Sequence, residues 1–223
     1  MQLPIFLKKH LGFLTVDDLP KSAPDIRKLR EQTKILIIDD EDFQYENTLR
    51  SSGFNIKVEK EWHDTKDVAS YDIVVSDNNG VAKNLGEQTG GLYMLRQAQK
   101  LYPEKVYVIY SASFIDTRNN DTKGLITISK SDKPEDWSDI LDESISRLHS
   151  FKEIWEKTRS ILVELDISEK AIRKIQHRYV RSVINRREID RDQLDLGINI
   201  ETISLLVRII NLAVSAAKLL PVS

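Results

Sequence analysis

The sequence predicts a doubly wound α/β fold built on a five-stranded parallel sheet, followed by an all-helical C-terminal segment. Two observations carry that prediction. Between Lys34 and Lys130, short apolar runs rich in β-branched residues recur, and amphipathic stretches separate most of them. After Pro134 there is no proline until Pro221 and a single glycine, Gly197, so that the rest of the chain reads as helix.

Residues 1–33 form an N-terminal leader punctuated by Pro4, Pro20 and Pro24, with Ser22, Pro24 and Asp25 opening a short helix that carries Ile26 and Leu29. The run Ile35-Leu36-Ile37-Ile38 ends in Asp39-Asp40. A weaker run spans 54–58. Ile73-Val74-Val75 ends at Ser76-Asp77, a fourth run over 106–110 ends at Ser111, and a fifth over 125–128 ends at Ser129-Lys130. Runs of this length and composition are strands buried on both faces, and the helical patterns over 43–52, 91–102 and 134–149 complete the alternation. Leu141, Ile145, Leu148, Trp155 and Leu162 recur at steps of three, four and seven, which predicts one unbroken helix from the α/β domain into the C-terminal segment. Two more helices are expected over 170–185 and 200–220. The expected organisation is a leader (1–33), an α/β domain (34–149) and a helical output or dimerisation segment (150–223).

Composition narrows the chemistry. Without cysteine there are no disulfides, zinc-thiolate sites or thiol nucleophiles. Lys8, Lys9 and His10 fall where a signal peptide needs its apolar run, so secretion is not expected and a cytoplasmic location is. The apolar stretch 200–220 keeps Glu201, Ser204, Arg208, Asn211, Ser215 and Lys218 on one stripe. Arg208 at mid-depth would cost roughly 2.5–3.5 kcal/mol in a bilayer, so no membrane span is expected. Its apolar residues, including Ile203, Leu206, Val207, Ile210, Val214 and Leu220, cover most of the circumference. A segment of about 70 residues is small for a core that hides such a helix, which predicts a homodimer or docking on a protein partner.

The net charge of −2 divides into −5 over residues 1–150 and +3 over residues 151–223. Seven Lys or Arg and no acid lie between Lys170 and Arg187. Arg173, Lys174, His177, Arg178 and Arg181 share one helical face, opposite Ile172, Ile175, Tyr179 and Val183. Such a face suits an acidic partner or a phosphate backbone. No helix-turn-helix pattern follows it, and nucleic acid is the less favoured of the two.

In a parallel α/β sheet, ligands bind beyond the carboxyl ends of the strands. Four of the five expected strands end in reactive side chains: Asp39 and Asp40, Asp77, Ser111, and Lys130. Three carboxylates on one edge repel one another unless a cation sits among them, and a hard divalent ion such as Mg²⁺ suits them. A hydroxyl and an ammonium on neighbouring strands can hold the oxygens of a phosphoryl group. The pattern is that of a phosphoryl-transfer site with Asp77 as the nucleophilic carboxylate.

This constellation resembles the receiver domain of bacterial response regulators, the phospho-accepting module of two-component signalling. The resemblance rests on Ile35-Leu36-Ile37-Ile38-Asp39-Asp40-Glu41, on Asp77 closing Tyr71-Asp72-Ile73-Val74-Val75-Ser76, on Ser111-Ala112-Ser113 and on Lys130, and it covers about residues 34–149. It implies a flavodoxin-like sheet, with Asp39 and Asp40 as the Mg²⁺-binding acidic pair and Asp77 as the phosphorylated aspartate. Asn79 would lend its backbone carbonyl to the metal. Ser111 would be the switch hydroxyl, small Ala112 would leave access to the phosphoryl group, and Lys130 would pair with it. The implied donor is a sensor histidine kinase or phosphotransfer protein, and the domain would accept a phosphoryl group without being an enzyme in its own right.

The chain departs from the family at several points. Ser131 follows Lys130 where proline is usual, which makes Lys133, before Pro134, a rival for the phosphate-pairing lysine. The loop from Asn78-Asn79-Gly80 to Gly90-Gly91 is longer than usual, and the polar stretch 115–123 is not expected to form the customary fourth helix. Two other functions compete. A pseudo-receiver would use the same fold as an unphosphorylated scaffold. A haloacid-dehalogenase-like phosphohydrolase would use Asp40-Glu41-Asp42 as an Asp-x-Asp pair, but Gln44 stands where Thr or Val is needed.

Overall fold

Five strands form the sheet: β1 (Lys34–Ile38), β2 (Asn55–Glu59), β3 (Ile73–Asp77), β4 (Val106–Ser111) and β5 (Ile126–Ser129). They align in the order β2-β1-β3-β4-β5, and each pairing is parallel. This is the doubly wound sheet that the alternating pattern predicts, in the flavodoxin-like order that the resemblance implies. The computed structural model describes residues 14–20, 24–86, 90–112, 122, 124–194 and 198–220. Ser113, most of the polar stretch 115–123, Gly197 and Pro221 lie outside them, so the expectation about a fourth helix falls outside the described residues.

The central strands β1 and β3 are buried over nearly their full length, whereas β2 is partly exposed, as its weaker run implies for an edge strand. Alternation divides the side chains between two faces. Leu36, Ile38, Val74, Tyr107 and Ile109 pack with Trp62, Val68, Val81, Met94 and Leu95 on one face. By the same period, residues 35, 37 and 39, 73, 75 and 77, and 108 and 110 point to the other. Asp39, Asp77 and Tyr110 therefore share a face at the carboxyl end of the sheet.

Around the sheet lie α1 (Ile26–Gln32), α2 (Glu46–Ser51), α3 (Gly91–Leu101) and α4 (Pro134–Leu148). The Asp25 carboxylate accepts from the Arg27 N–H and caps α1. Arg30 then grips Asp142 of α4 with Nε and Nη2 at 2.7 and 2.5 Å, a bidentate pair that fixes α1 beside the sheet. Between β2 and β3 a 3-10 turn (Thr65–Ser70) with an Asp64–Asp67 capping box stands in place of a helix. The α2 helix starts later than the 43–52 pattern suggests. Phe43 is buried among Tyr45, Tyr110 and Trp137, so the chain turns around its ring before helix begins.

The described residues separate into two compact units. One is 25–148; the other combines residues before 25 with 149–220. The expected leader is thus divided: residues 26–32 belong with the sheet, while Leu14 and Leu19 enter the core of the helical unit. That unit holds α5 (Phe151–Glu164), α6 (Glu169–Asn185) and α7 (Ile200–Lys218), whose N-caps Ser150, Ser168 and Asn199 accept from the N–H of Glu153, Ala171 and Thr202. Tyr179 stacks obliquely on Trp155 with centroids 5.6 Å apart, and its hydroxyl donates to the Phe151 carbonyl at 2.7 Å.

Two expectations are corrected here. The unbroken helix through Trp155 does not form: α4 ends at Leu148 and α5 starts at Phe151. The apolar spacing carries through, but the Ser150 hydroxyl satisfies a backbone N–H that a continuous helix would have bonded internally. Nor is the apolar face of α7 left uncovered as a whole, although Ile203 and Val207 are only half-buried and Ile200 is exposed. Leu206, Ile210, Val214 and Leu220 are buried in a core shared with α5, α6, Leu14 and Leu19. By length and composition α7 could cross a membrane; in this unit it is a core helix, with Glu201, Arg208, Ser215 and Lys218 exposed along its polar stripe.

Candidate functional site

The site is built where β1, β3, β4 and β5 end. One carboxylate oxygen from each of Asp39, Asp40 and Asp77 lies within 4.8 Å of the others. Asp39 and Asp77 are buried, and Asp40 faces solvent. Asp39 is pinned at both oxygens: Oδ1 accepts from the Glu41 N–H at 3.0 Å and Oδ2 from the Tyr110 hydroxyl at 2.5 Å. Asp40 Oδ2 accepts from the Lys83 ammonium at 3.0 Å. Its carboxylate sits against Gly80, where an added Cβ would fall 2.0 Å from Oδ2.

Asp77 occupies the centre. Its Oδ2 accepts from Lys130 Nζ at 2.6 Å and its Oδ1 from the Asn79 N–H at 3.3 Å. Lys130 also lies 5.5 Å from the Tyr110 ring centroid. Burial works to lower the Lys130 pKa, but the hydrogen bond and charge of Asp77, with Asp39 and Glu41 nearby, outweigh it and hold the ammonium above its usual value. Lys130 is therefore a fixed cation. Of the two rival lysines, Lys130 meets Asp77, while Lys133 lies just before α4, its N–H donating to Asp136 Oδ2.

Ser111 closes β4 and is buried, with its carbonyl accepting from the Lys130 N–H at 3.0 Å. That bond extends the β4–β5 pairing by one step and sets the lysine beside the strand that carries the serine. Small Ala112 follows at an exposed position. Sequence reasoning thus places Asp39, Asp40, Asp77, Ser111 and Lys130 at one sheet edge, and the structure does the same. It does not bring in Asp42, whose solvent-exposed carboxylate pairs with Lys60 at 2.6 Å. Asp42, the second acid of the phosphohydrolase reading, thus stands outside the carboxylate cluster of Asp39, Asp40 and Asp77.

Three carboxylates at this spacing, with one backed by a glycine that leaves it room, suit a hard divalent cation with oxygen ligands. The cationic face of Lys130 opposite them suits a phosphoryl group.

Several contributors escaped the sequence reading. Tyr110 looks there like one more apolar strand residue, yet it donates to Asp39. Burial, then the bond to Asp39, raise the phenol's pKa far above its usual value, so it remains a donor. Phe43 and Trp137 hold its ring edge to face, with centroids at 6.1 and 5.2 Å. Beside these rings, Asp39, Glu41, Gln44, Tyr45 and Lys130 help line a cavity of about 240 Å³. On the opposite face the buried indole of Trp62 donates to Ser76 Oγ at 3.0 Å, and that hydroxyl donates to the Asp77 carbonyl at 2.9 Å. The alternating period was the available clue for Tyr110, because it puts residues 39, 77 and 110 on one face.

Tyr110→Phe tests the phenol. A hydrogen bond to a buried charged group contributes about 1.5–3 kcal/mol, so the variant should lose stability of that order in urea titration without divalent cations. Saturating Mg²⁺ should return part of the loss. An unchanged midpoint would show that the bond to Asp39 contributes nothing.

No protein-family model matches the sequence, and no curated protein matches it either. Solved structures do resemble part of the chain. A response regulator receiver domain protein from Clostridium thermocellum is 21% identical, with 52% of this chain and 95% of that one covered at a TM-score of 0.40. A two-component response regulator from Clostridium difficile is 16% identical over 53% and 100% of the two chains, at a TM-score of 0.43. A response regulator from Thermotoga maritima is 18% identical over 51% and 98%, at a TM-score of 0.40.

Proposed function

We propose that residues 25–148 are a phospho-accepting receiver of a two-component system, phosphorylated on Asp77, with the helical unit carrying its output. The observation that supports this best is the placement of Asp77. Its carboxylate lies within 4.8 Å of oxygens from Asp39 and Asp40 and is bonded to Lys130 at 2.6 Å. A three-carboxylate cluster and an ammonium thus meet at one buried carboxylate, as a phosphoacceptor with a cation and a phosphate-pairing lysine would require.

In this reading the donor is a phosphohistidine on a sensor kinase or phosphotransfer protein. An Asp77 oxygen forms the new P–O bond as the P–N bond breaks. The electron pair passes to the imidazole nitrogen, which takes a proton from water, and an acyl phosphate remains. Mg²⁺ bound by Asp39, Asp40, Asp77 and the Asn79 carbonyl would supply neutralising charge at the phosphoryl oxygens. Lys130 passes from the carboxylate to a phosphoryl oxygen, and the Ser111 hydroxyl donates to another. The side chain of Ala112 is too small to obstruct the approach. Such a module is cytoplasmic, where a kinase can reach it, and turns over no substrate. With α7 buried, the helical unit would meet partners through its polar faces.

The test is direct. Acetyl phosphate with Mg²⁺ should add one phosphoryl group to the chain by intact-mass analysis, and a chelator should prevent it. The Mg²⁺-induced rise in thermal midpoint should shrink in Asp40→Ala; full saturation at a hundredfold excess over Kd is worth about 2.7 kcal/mol. No mass gain, with the fold intact, would leave the scaffold reading in its place.

A further inference from the structure

A second charged surface lies on α6, in the helical unit. At 100° per residue, Lys170, Arg173, Lys174, His177, Arg178 and Arg181 fall within about 140° of arc. The opposite arc carries Ile172, Ile175, Tyr179 and Val183, all buried in the helical core. Arg173, Lys174 and Arg181 are exposed and Arg178 is half-buried.

The unusual feature is the absence of counter-charge. Elsewhere in this unit Lys152, Arg159 and Lys218 each face a carboxylate, on Glu156, Glu169 and Glu188. Among the described residues, Arg173, Lys174, Arg178 and Arg181 have no such partner, and no acid occurs from Lys170 to Arg187. Burial, and then Arg181 and Arg178 lying close to it, lower the His177 pKa, so this imidazole adds no charge to the face near neutral pH.

We propose that this face of α6 binds the phosphate backbone of a nucleic acid. Three properties favour a polyphosphate over an acidic protein. From Arg173 to Arg181 the cations run along the helix for about 12 Å, a line suited to successive phosphates. Three of the four unpaired cations are arginines, whose planar fork matches phosphate oxygens. Between Lys170 and Arg181 the arc carries no large apolar residue, and Ile184, a turn further on, is half-buried against the helical core, whereas protein interfaces place aromatic and apolar side chains at their centre and deplete charge there. The contact is to backbone, so the binding is independent of sequence.

Fluorescence anisotropy of the full chain with a short mixed-sequence DNA duplex tests the proposal. Four phosphate contacts predict a loss of affinity of roughly 100-fold between about 50 and 200 mM salt. Arg173→Glu with Arg181→Glu should weaken low-salt binding at least about tenfold and flatten the salt slope by about two. Lys152→Glu, which removes a charge elsewhere in the unit, should have little effect. Both arginines are exposed, so helix content by circular dichroism should not change, and Arg173→Ala with Arg181→Ala should shift binding in the same direction. A wild type that does not bind at low salt, or variants that bind as the wild type does, would overturn the proposal. So would polyglutamate competing as well as the duplex, which would make this a surface for acidic polypeptides.

Discussion

Asp77→Asn is expected to abolish acyl-phosphate formation while leaving the sheet folded. Asparagine keeps the shape of the side chain at a position that is 2% exposed, and its oxygen can still accept from Lys130. What it lacks is the anionic oxygen that forms the P–O bond, and no other carboxylate in the cluster has the same combination of partners. Asp39 has both oxygens occupied by Glu41 and Tyr110, and Asp40 faces Lys83 at the rim. Intact mass after acetyl phosphate treatment should show no addition, against one phosphoryl group for the wild type. Labelling equal to the wild type would place the acceptor elsewhere and remove the basis of the receiver reading.

Gly91→Ala should have a comparably large effect for a purely steric reason, and its sign separates two arguments. Gly91 opens α3, and helix propensity alone says that alanine should stabilise by up to about 1 kcal/mol. The packing says the reverse. A Cβ there would fall 1.7 Å from the Asp77 carbonyl oxygen and 2.6 Å from Ser76 Oγ. The nearest obstacle is backbone, so the strand end or the start of α3 must move, and overpacking of this kind costs about 1–3 kcal/mol or more. Because the moved residue is the proposed phosphoacceptor, phosphorylation should slow as well; a displacement near 1 Å can cost about 100-fold in rate. Urea denaturation and the time course of mass gain measure the two effects. A variant as stable and as fast as the wild type would disprove the close approach.

The residues of the candidate site were legible because they end strands, and strand ends can be read from the composition of the runs before them. Asp39-Asp40, Asp77, Ser111 and Lys130 follow largely apolar runs of four, three, five and four residues, whose length and composition are those of buried strands. That Lys130 rather than Lys133 meets Asp77 required the structure, since spacing alone put both near the same edge. What the sequence hid was non-local. Leu14 and Leu19 lie more than a hundred residues from the helices they cover, so α7 looked unpartnered. The break before Phe151 was local but easily missed. Serine is an excellent N-cap, yet no proline or glycine marks the spot, and the apolar spacing continues across it. Gly91 looked like an ordinary loop-to-helix glycine; its demand for space comes from a strand that precedes it by fourteen or more positions.

The Trp62–Ser76–Asp77 chain gives the protein an intrinsic optical reporter. The indole lies on the face of the sheet opposite the carboxylates, yet its donor hydrogen bond ends on a hydroxyl that itself bonds the main chain of the acceptor residue. Indole emission depends on what its N–H is bonded to, and this one is shielded from solvent. A shift of a few tenths of an ångström in the Asp77 peptide would stretch the Ser76 link and change the light that Trp62 emits, without a label attached anywhere on the chain.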